Sequence, residues 1–168
     1  MAKLIQNRRV RTDNWLLLKS VPDAALPAVP AEADVIVPLA QWLQQRDALL
    51  ARKGRTGVWL EAGEDFAALV ADLPRLPLIA LNFPKFGDGR NLSTARMLRE
   101  RHAYKGELRA VGDVYRDLLL GMHRCGIDSY LLHDSQDADD ALRAFDELPE
   151  VYQASVEQPL PLFRRRVA

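Results

Sequence analysis

A single cysteine, Cys125, is all the thiol that this chain of 168 residues has. That excludes an internal disulfide, and any thiolate-held zinc or iron–sulfur centre made by one chain alone. It also fits a reducing compartment. An excess of charge of either sign is equally lacking, because 23 basic residues balance 23 acidic ones. Non-specific nucleic-acid binding depends on long-range attraction from such an excess, so nucleic acid is not an expected partner. Nor is there an apolar run of about 20 residues that could cross a bilayer. No apolar run behind the polar, basic segment Met1 to Asn14 is long enough to make a secretion signal. The expectation is a cytoplasmic chain with no membrane partner.

What the chain does have is 48% hydrophobic residues, enough for one core at this length. It reads as a single domain over 1–168, with a basic N-terminal arm (about 1–13) and an extended C-terminal tail from Val156. Trp15 to Leu18 has the length of a buried strand, and a proline-rich connection with Pro22, Pro27 and Pro30 follows it. Asp34 to Val37 reads as a strand or as the lead-in to a helix that accepts Pro38 in its first turn. Leu39, Trp42, Leu43, Leu49 and Leu50 recur at helical spacing, with Arg46 lying on the same stripe. That helix ends near Gly54.

Three further strand–helix units follow. Gly57 to Leu60 precedes a helix through Phe66, Leu69, Val70 and Leu73, stopped by Pro74. Pro77 to Phe83 precedes a helix that places Ala95, Leu98 and His102 on one side. Leu108 to Val111 precedes a helix carrying Val114, Leu118, Met122 and Cys125 and closed by Gly126. Tyr130 to Leu132 is one more strand, and Asp137 is placed to cap a final helix through Ala138, Ala141, Leu142 and Phe145. Parallel neighbours need a crossover, and each helix here supplies one, so the expected class is α/β with a mainly parallel sheet of about five strands. An open three-layer sheet is preferred over a partial barrel, since five or six strands are too few to close an eight-stranded barrel.

Ligands in such folds bind where the carboxyl ends of the strands gather. Among the loops there, Phe83 to Ser93 carries more than turn residues. Its glycines, Gly87 and Gly89, let backbone approach a ligand, and the helix behind them offers free amide hydrogens. Lys85 and Arg90 add positive charge, Ser93 can cap the helix or donate to a ligand oxygen, and Phe83 and Phe86 can wall off a planar group. Lys85, Phe86, Gly89, Arg90 and Ser93 are thus the candidate ligand-binding residues, with a small anion as the expected ligand. The string matches neither a P-loop nor a dinucleotide fingerprint. An ordinary turn with a capping Ser93 and core phenylalanines explains it equally well. Asp113 follows the next strand, as acid, base, orienter of Arg90 or simply a helix cap, and Asp88 and Asp113 are the candidate catalytic carboxylates. If their strands are neighbours, Asp113 and Arg90 should share one pocket.

Other features point to the bland alternative. Glu61 to Glu64 reads as a loop leading to a helix start, although it can aim a carboxylate into a site. His102, His123 and His133 fit no metal spacing, and no metal site is expected. Cys125, near a helix end, reads as a packed thiol. Asp134, Asp137, Asp139 and Asp140 lack the glycine and terminal glutamate of a calcium loop. Arg8, Arg9 and Arg11, with Arg164, Arg165 and Arg166, make both ends basic; solvated tails are the default, docking to an acidic protein the alternative.

The stretch from Phe83 to Asp128 resembles the bacterial family of unknown function numbered 934. The resemblance is carried by Phe86, Asp88-Gly89-Arg90, Ser93, Ala95, Leu98-Arg99, Arg101, Tyr104, Gly106-Glu107-Leu108-Arg109-Ala110, Gly112-Asp113-Val114, Asp117, Met122 and Arg124-Cys125-Gly126. The chain departs from the pattern at Leu118, where the family has Gln, and at Ile127, where it has Phe. Members commonly lie beside genes for sulfite reductase and other steps of sulfate assimilation. The resemblance therefore implies a part in sulfite reduction, with sulfite reductase or another sulfate-assimilation protein as partner, and such proteins are often labelled oxidoreductases. The residues themselves name no cofactor: a dinucleotide fingerprint, a cysteine pair and a haem or cluster ligand set are all missing. Two expectations follow. One is a non-redox accessory protein that binds a reductase or a small sulfur oxyanion through Phe83 to Ser93. The other is an enzyme in which Asp113 or Asp88 does acid–base work on an anion held by Arg90.

Overall fold

The structure is a computed structural model and describes residues 3–19, 26–148 and 150–165. Its strands in chain order are β1 (Leu4–Gln6), β2 (Arg9–Arg11), β3 (Leu16–Leu17), β4 (Val35–Pro38), β5 (Thr56–Leu60), β6 (Leu78–Phe83), β7 (Glu107–Gly112) and β8 (Ser129–Leu131). The helices are α1 (Leu39–Leu50), α2 (Arg90–Glu100), α3 (Arg116–Arg124), α4 (Ala138–Arg143) and α5 (Leu162–Arg165), with a 3₁₀ helix at Ala67–Arg75. All eight strands form one sheet in the order β2-β1-β8-β7-β6-β5-β4-β3. Successive strands from β3 to β8 pair in parallel, and β1 alone is reversed, pairing antiparallel with both β2 and β8, so that β2 runs in the common direction. The α/β class and the mainly parallel sheet stand. The count of about five strands and the open three-layer arrangement do not: the sheet has eight strands and curls into a half-barrel.

The strand order explains why three layers are ruled out. From β3 to β8 each strand lies beside its successor, and right-handed crossovers between successive neighbours carry every helix to the same face. Covering both faces would require the order to reverse. The two faces accordingly bury different sets of side chains. Val35, Val58, Leu60, Ile79, Leu81, Leu108 and Ala110 pack under the helices with Trp42, Leu69, Leu98, Leu119 and Met122. Ile36, Trp59, Leu78, Ala80 and Val111 point the other way and pack with Trp15, Leu17 and Leu131. Burial on both faces is why these strands read as continuous apolar runs.

Chain length demonstrates the curl. A flat eight-stranded sheet would hold its outermost strands roughly 34 Å apart at the usual spacing. Yet β2 and β3, at opposite edges, are joined only by residues 12–15, which span at most about 18 Å from Arg11 to Leu16. The edges must curl towards each other. The strap crosses the inner face, where the Asp13 carboxylate accepts from Arg109 Nη1 on β7 at 2.8 Å, and the Arg109 Nε donates to Glu107 at 2.8 Å. Arg109 is only 2% exposed. Trp15 on the same strap lies under the Arg55 guanidinium, 4.8 Å from the ring centroid. This network plugs the end of the half-barrel at which the parallel strands begin.

Several local expectations change with the tertiary setting. Residues 4–11, expected within a basic arm, form the β1–β2 hairpin. Its two-residue turn holds Asn7 and Arg8 at φ 49° and 58°, the left-handed pair of a type I′ turn. Pro74 lies inside the 3₁₀ helix rather than beyond it. Arg46 reaches the buried Asp72, which also accepts from Trp42 Nε1 at 3.1 Å. Pro22 and Arg166 lie outside the described residues. Pro27 and Pro30 are pinned through their carbonyls by Gln41 and Arg52. In the tail, Val156 N donates to Arg124 O at 3.1 Å and α5 follows. Among the described residues no helix is long and apolar enough to cross a membrane.

Candidate functional site

At the opposite end, where the carboxyl ends of the parallel strands gather, the inner face is open. A cavity of about 560 Å³ is lined there by Trp59, Glu61, Asn82, Val111, Gly112, Leu131 and His133, with Leu17, Lys19, Pro38 and Glu64 among its other walls. Side-chain parity brings the polar residues in. Trp59 and Glu61 are two apart at the end of β5 and share a face, and Asn82 lies on β6 opposite Val111 of β7. The Glu61 carboxylate is held by two neutral donors, Trp59 Nε1 at 2.7 Å and Asn82 Nδ2 at 2.7 Å. Glu64 closes the turn behind it by accepting from Glu61 N at 2.9 Å.

Gly112 makes this approach of β6 and β7 possible. Its φ is +94°, and a Cβ there would meet Phe83 O at 2.5 Å and Asn82 Oδ1 at 2.7 Å. On the far wall, His133 Nδ1 lies 2.8 Å from Ser135 Oγ. The imidazole stacks on Tyr115, with centroids 4.9 Å apart and planes inclined by 24°.

The loop singled out from sequence lies beside this mouth rather than in it. Asp88 N donates to Lys85 O at 3.0 Å, which closes a turn. Arg90 turns back on Asp88: its Nε and Nη2 donate at 3.0 and 2.6 Å and its amide at 3.3 Å. The Arg90 guanidinium holds the Asp88 carboxyl down to about 2, and so Asp88 is a carboxylate throughout the physiological range. Strands β6 and β7 are indeed neighbours, but the partner of Arg90 is Asp88 and not Asp113. Asp113 is half-buried, its amide donates to Phe83 O at 2.7 Å, and it does not line the mouth. Nor does Asp113 cap α3, whose N-cap is Tyr115.

Gly89, not Ser93, is the N-cap of α2, and Ser93 is an exposed residue one turn in. Phe83 faces the helices and is buried, so it cannot wall a ligand. Lys85 is exposed. Phe86 is 53% exposed and leans on Tyr115 edge-on at 5.8 Å, so Phe86, Tyr115 and His133 form an aromatic row from this loop to the mouth. A shallower hollow of about 430 Å³ beside the row is lined by Phe86, Tyr115, Arg116, Asp117, Gln136 and Asp140.

Other candidates resolve into scaffold. Asp137 caps α4, accepting from Asp140 N at 2.9 Å. His102 packs edge-on against Phe66, and His123 Nε2 meets Glu157 at 2.7 Å. Burial pushes the Cys125 thiol upward, away from the thiolate form that a nucleophile needs. Arg8 pairs with Asp146, and Arg165 Nη2 donates to Val151 O at 2.9 Å. Among the described residues, no group of three or more His, Cys, Asp or Glu side chains is arranged to hold a metal ion.

Much of the string that carried the family resemblance is scaffold as well. Arg99 donates to the carbonyls of Tyr104 (2.7 Å), Gly106 (2.8 Å) and Gly126 (2.9 Å) and to Asp128 (2.8 Å), tying the end of α2 to the starts of β7 and β8. Gly126, at φ +93°, presses against the Arg99 stem. The family described as Bacterial protein of unknown function (DUF934) matches residues 57–163. This chain belongs to that family. The matched span runs from β5 into the start of α5 and contains both the mouth residues of β5 to β8 and the Phe86 loop. No curated protein and no solved structure matches the chain significantly.

Trp59, Lys19, Asn82 and His133 were not singled out from sequence as site residues, and Glu61 was read as a loop residue. A usable signal was present at Asn82, an amide on the inner-face parity of an otherwise apolar strand. Trp59 and Glu61, two apart at a strand's end, carried the same signal.

Proposed function

We propose that this DUF934 protein is a non-redox accessory protein of assimilatory sulfite reduction, which docks a reductase partner through the loop Phe83 to Ser93. The observation that carries the docking surface is Phe86, a large apolar side chain that stands 53% exposed on a hydrogen-bonded turn and is backed by Tyr115. An aromatic anchor rimmed by Lys85, Arg116 and Asp117 has the make-up of a protein-docking patch. The pathway is drawn from the sulfite-reductase gene association that the sequence resemblance implies. Arg90, whose charge is taken up by Asp88, positions the turn, and a free sulfur oxyanion is therefore the less favoured ligand of this loop. The same pairing occupies Arg90, the arginine that the acid–base alternative needs to hold its substrate.

The test is capture of purified sulfite reductase by the immobilised protein. Wild-type chain should retain the reductase, and Phe86→Ala combined with Lys85→Glu should abolish retention without lowering the melting temperature. Titration with sulfite, sulfate and adenylyl sulfate runs alongside. Failure to retain the reductase, or retention undiminished in the double variant, refutes the docking role. Turnover of sulfite that is lost in Asp113→Asn would instead favour the enzyme.

A further inference from the structure

We propose that the mouth of the half-barrel is a binding site for a small organic cation, a ligand with a protonated amine or amidinium group on a flat apolar body. The cavity's 560 Å³ falls within the range of small-molecule sites. It also opens at the carboxyl ends of parallel strands, where this architecture places ligands. The chemistry of its walls decides the class.

Glu61 is the deciding residue. Both its oxygens are fixed in place, one by Trp59 Nε1 and one by Asn82 Nδ2, each at 2.7 Å. These donors are neutral, and among the described residues Glu61 forms no ion pair. A carboxylate offers about four acceptor positions, so the two bonds orient it and leave acceptor capacity and an uncompensated charge. Asn82, with its amide nitrogen spent on Glu61, adds its Oδ1 as a further acceptor near Gly112. Glu64, also without an ion pair among the described residues, lies on the same side.

This favours donors and repels anions: among the described residues that line the cavity, Lys19 is the only lysine or arginine. Beneath the carboxylate, Trp59, Val111 and Leu131 supply an apolar floor suited to the body of the ligand rather than to a hydrated inorganic ion. The absence of a three-donor metal arrangement among the described residues points the same way. The site is separate from the Phe86 docking surface and does not depend on it.

The probe is benzamidine, an amidinium on a flat ring, with benzoate as the same ring carrying the opposite charge. Titration of the isotopically labelled protein, followed by amide and indole NMR, should show benzamidine binding at about 1 mM or tighter. The Trp59 indole N–H and the Asn82 side-chain amide should move most. Benzoate should leave them in place. Glu61→Gln should weaken benzamidine binding about tenfold or more, the loss expected for one charge-assisted hydrogen bond. Glu32→Gln, on the far side of the fold from the mouth, should not. No benzamidine binding, equal or tighter benzoate binding at the same residues, or calcium binding in their place overturns the assignment on wild-type protein alone. A folded Glu61→Gln variant that binds undiminished does so as well.

Discussion

Replacing Arg109 with methionine preserves most of the side-chain volume on the inner face and removes only the cation that fastens the strap. In the native chain Arg109 is 2% exposed and donates at 2.8 Å to both Asp13 and Glu107, whose side chains are 14% and 13% exposed. Glu107 also accepts from Gln6 on β1 at 2.8 Å. Methionine would leave two largely buried carboxylates with only neutral donors, Gln6 for Glu107 and the Trp15 amide for Asp13, and no counter-charge. Breaking a buried pair from one side costs about 3–5 kcal/mol. At about 2–4 °C per kcal/mol for a chain of this size, the melting temperature should fall by roughly 6–20 °C. Circular-dichroism melts and urea titrations check this, and added salt should change the loss little because the pairs are screened from solvent.

Neutralising the carboxylates at the same time, as Asp13→Asn and Glu107→Gln with Arg109→Met, should recover most of the stability. The cost lies in the unpaired charges and not in the absence of the ion pair. An Arg109→Met variant that melts with wild type, or a triple variant no better than the single, would refute the strap as the device that closes the half-barrel.

Three further outcomes are expected. Gly112→Ala places a Cβ on Phe83 O at a φ of +94°, and should cost about 2 kcal/mol or more by chemical denaturation while displacing the NMR signals of Asn82. Arg99→Lys keeps the charge but not the planar fork that reaches three carbonyls and Asp128, so a loss of about 2 kcal/mol is expected in urea titration. The carboxyl of Asp72 is lowered chiefly by its hydrogen bond from Arg46. Its stabilising contribution is therefore fully present above the ordinary value of 3.8 and is lost as pH falls through the lower folded value. Stability measured from pH 5 down to pH 2 should consequently fall less steeply in Asp72→Asn than in wild type, from a lower starting point.

How much of this was legible beforehand varies element by element. Strands β5 to β8 and the helices after them follow from short, largely apolar runs and from the apolar stripe of each long helix, whereas Asp34 to Val37 read equally as a strand or as a helix lead-in and only the structure made it β4. The β1–β2 hairpin was hidden for a local reason: its turn is Asn7-Arg8, and Arg is not a residue that announces a left-handed position. The Phe83 to Ser93 segment was rightly placed after a strand and before a helix. Its charges cancel within the loop, however, because Asp88 and Arg90 are two apart on a tight turn, a pairing that residue types alone do not distinguish from an anion site.

The sequence by itself determined the α/β class, the direction of most of the sheet, the place of each crossover helix and membership of the DUF934 family. These rest on local spacing and on the content of a single stretch of chain. Only the tertiary structure decided that the sheet curls, that Asp13 meets Arg109 96 residues later, and that Trp59, Glu61, Asn82 and His133 share one mouth. Those outcomes depend on strand order and on the parity with which neighbouring strands present their side chains. Both are set by packing between segments distant in the chain.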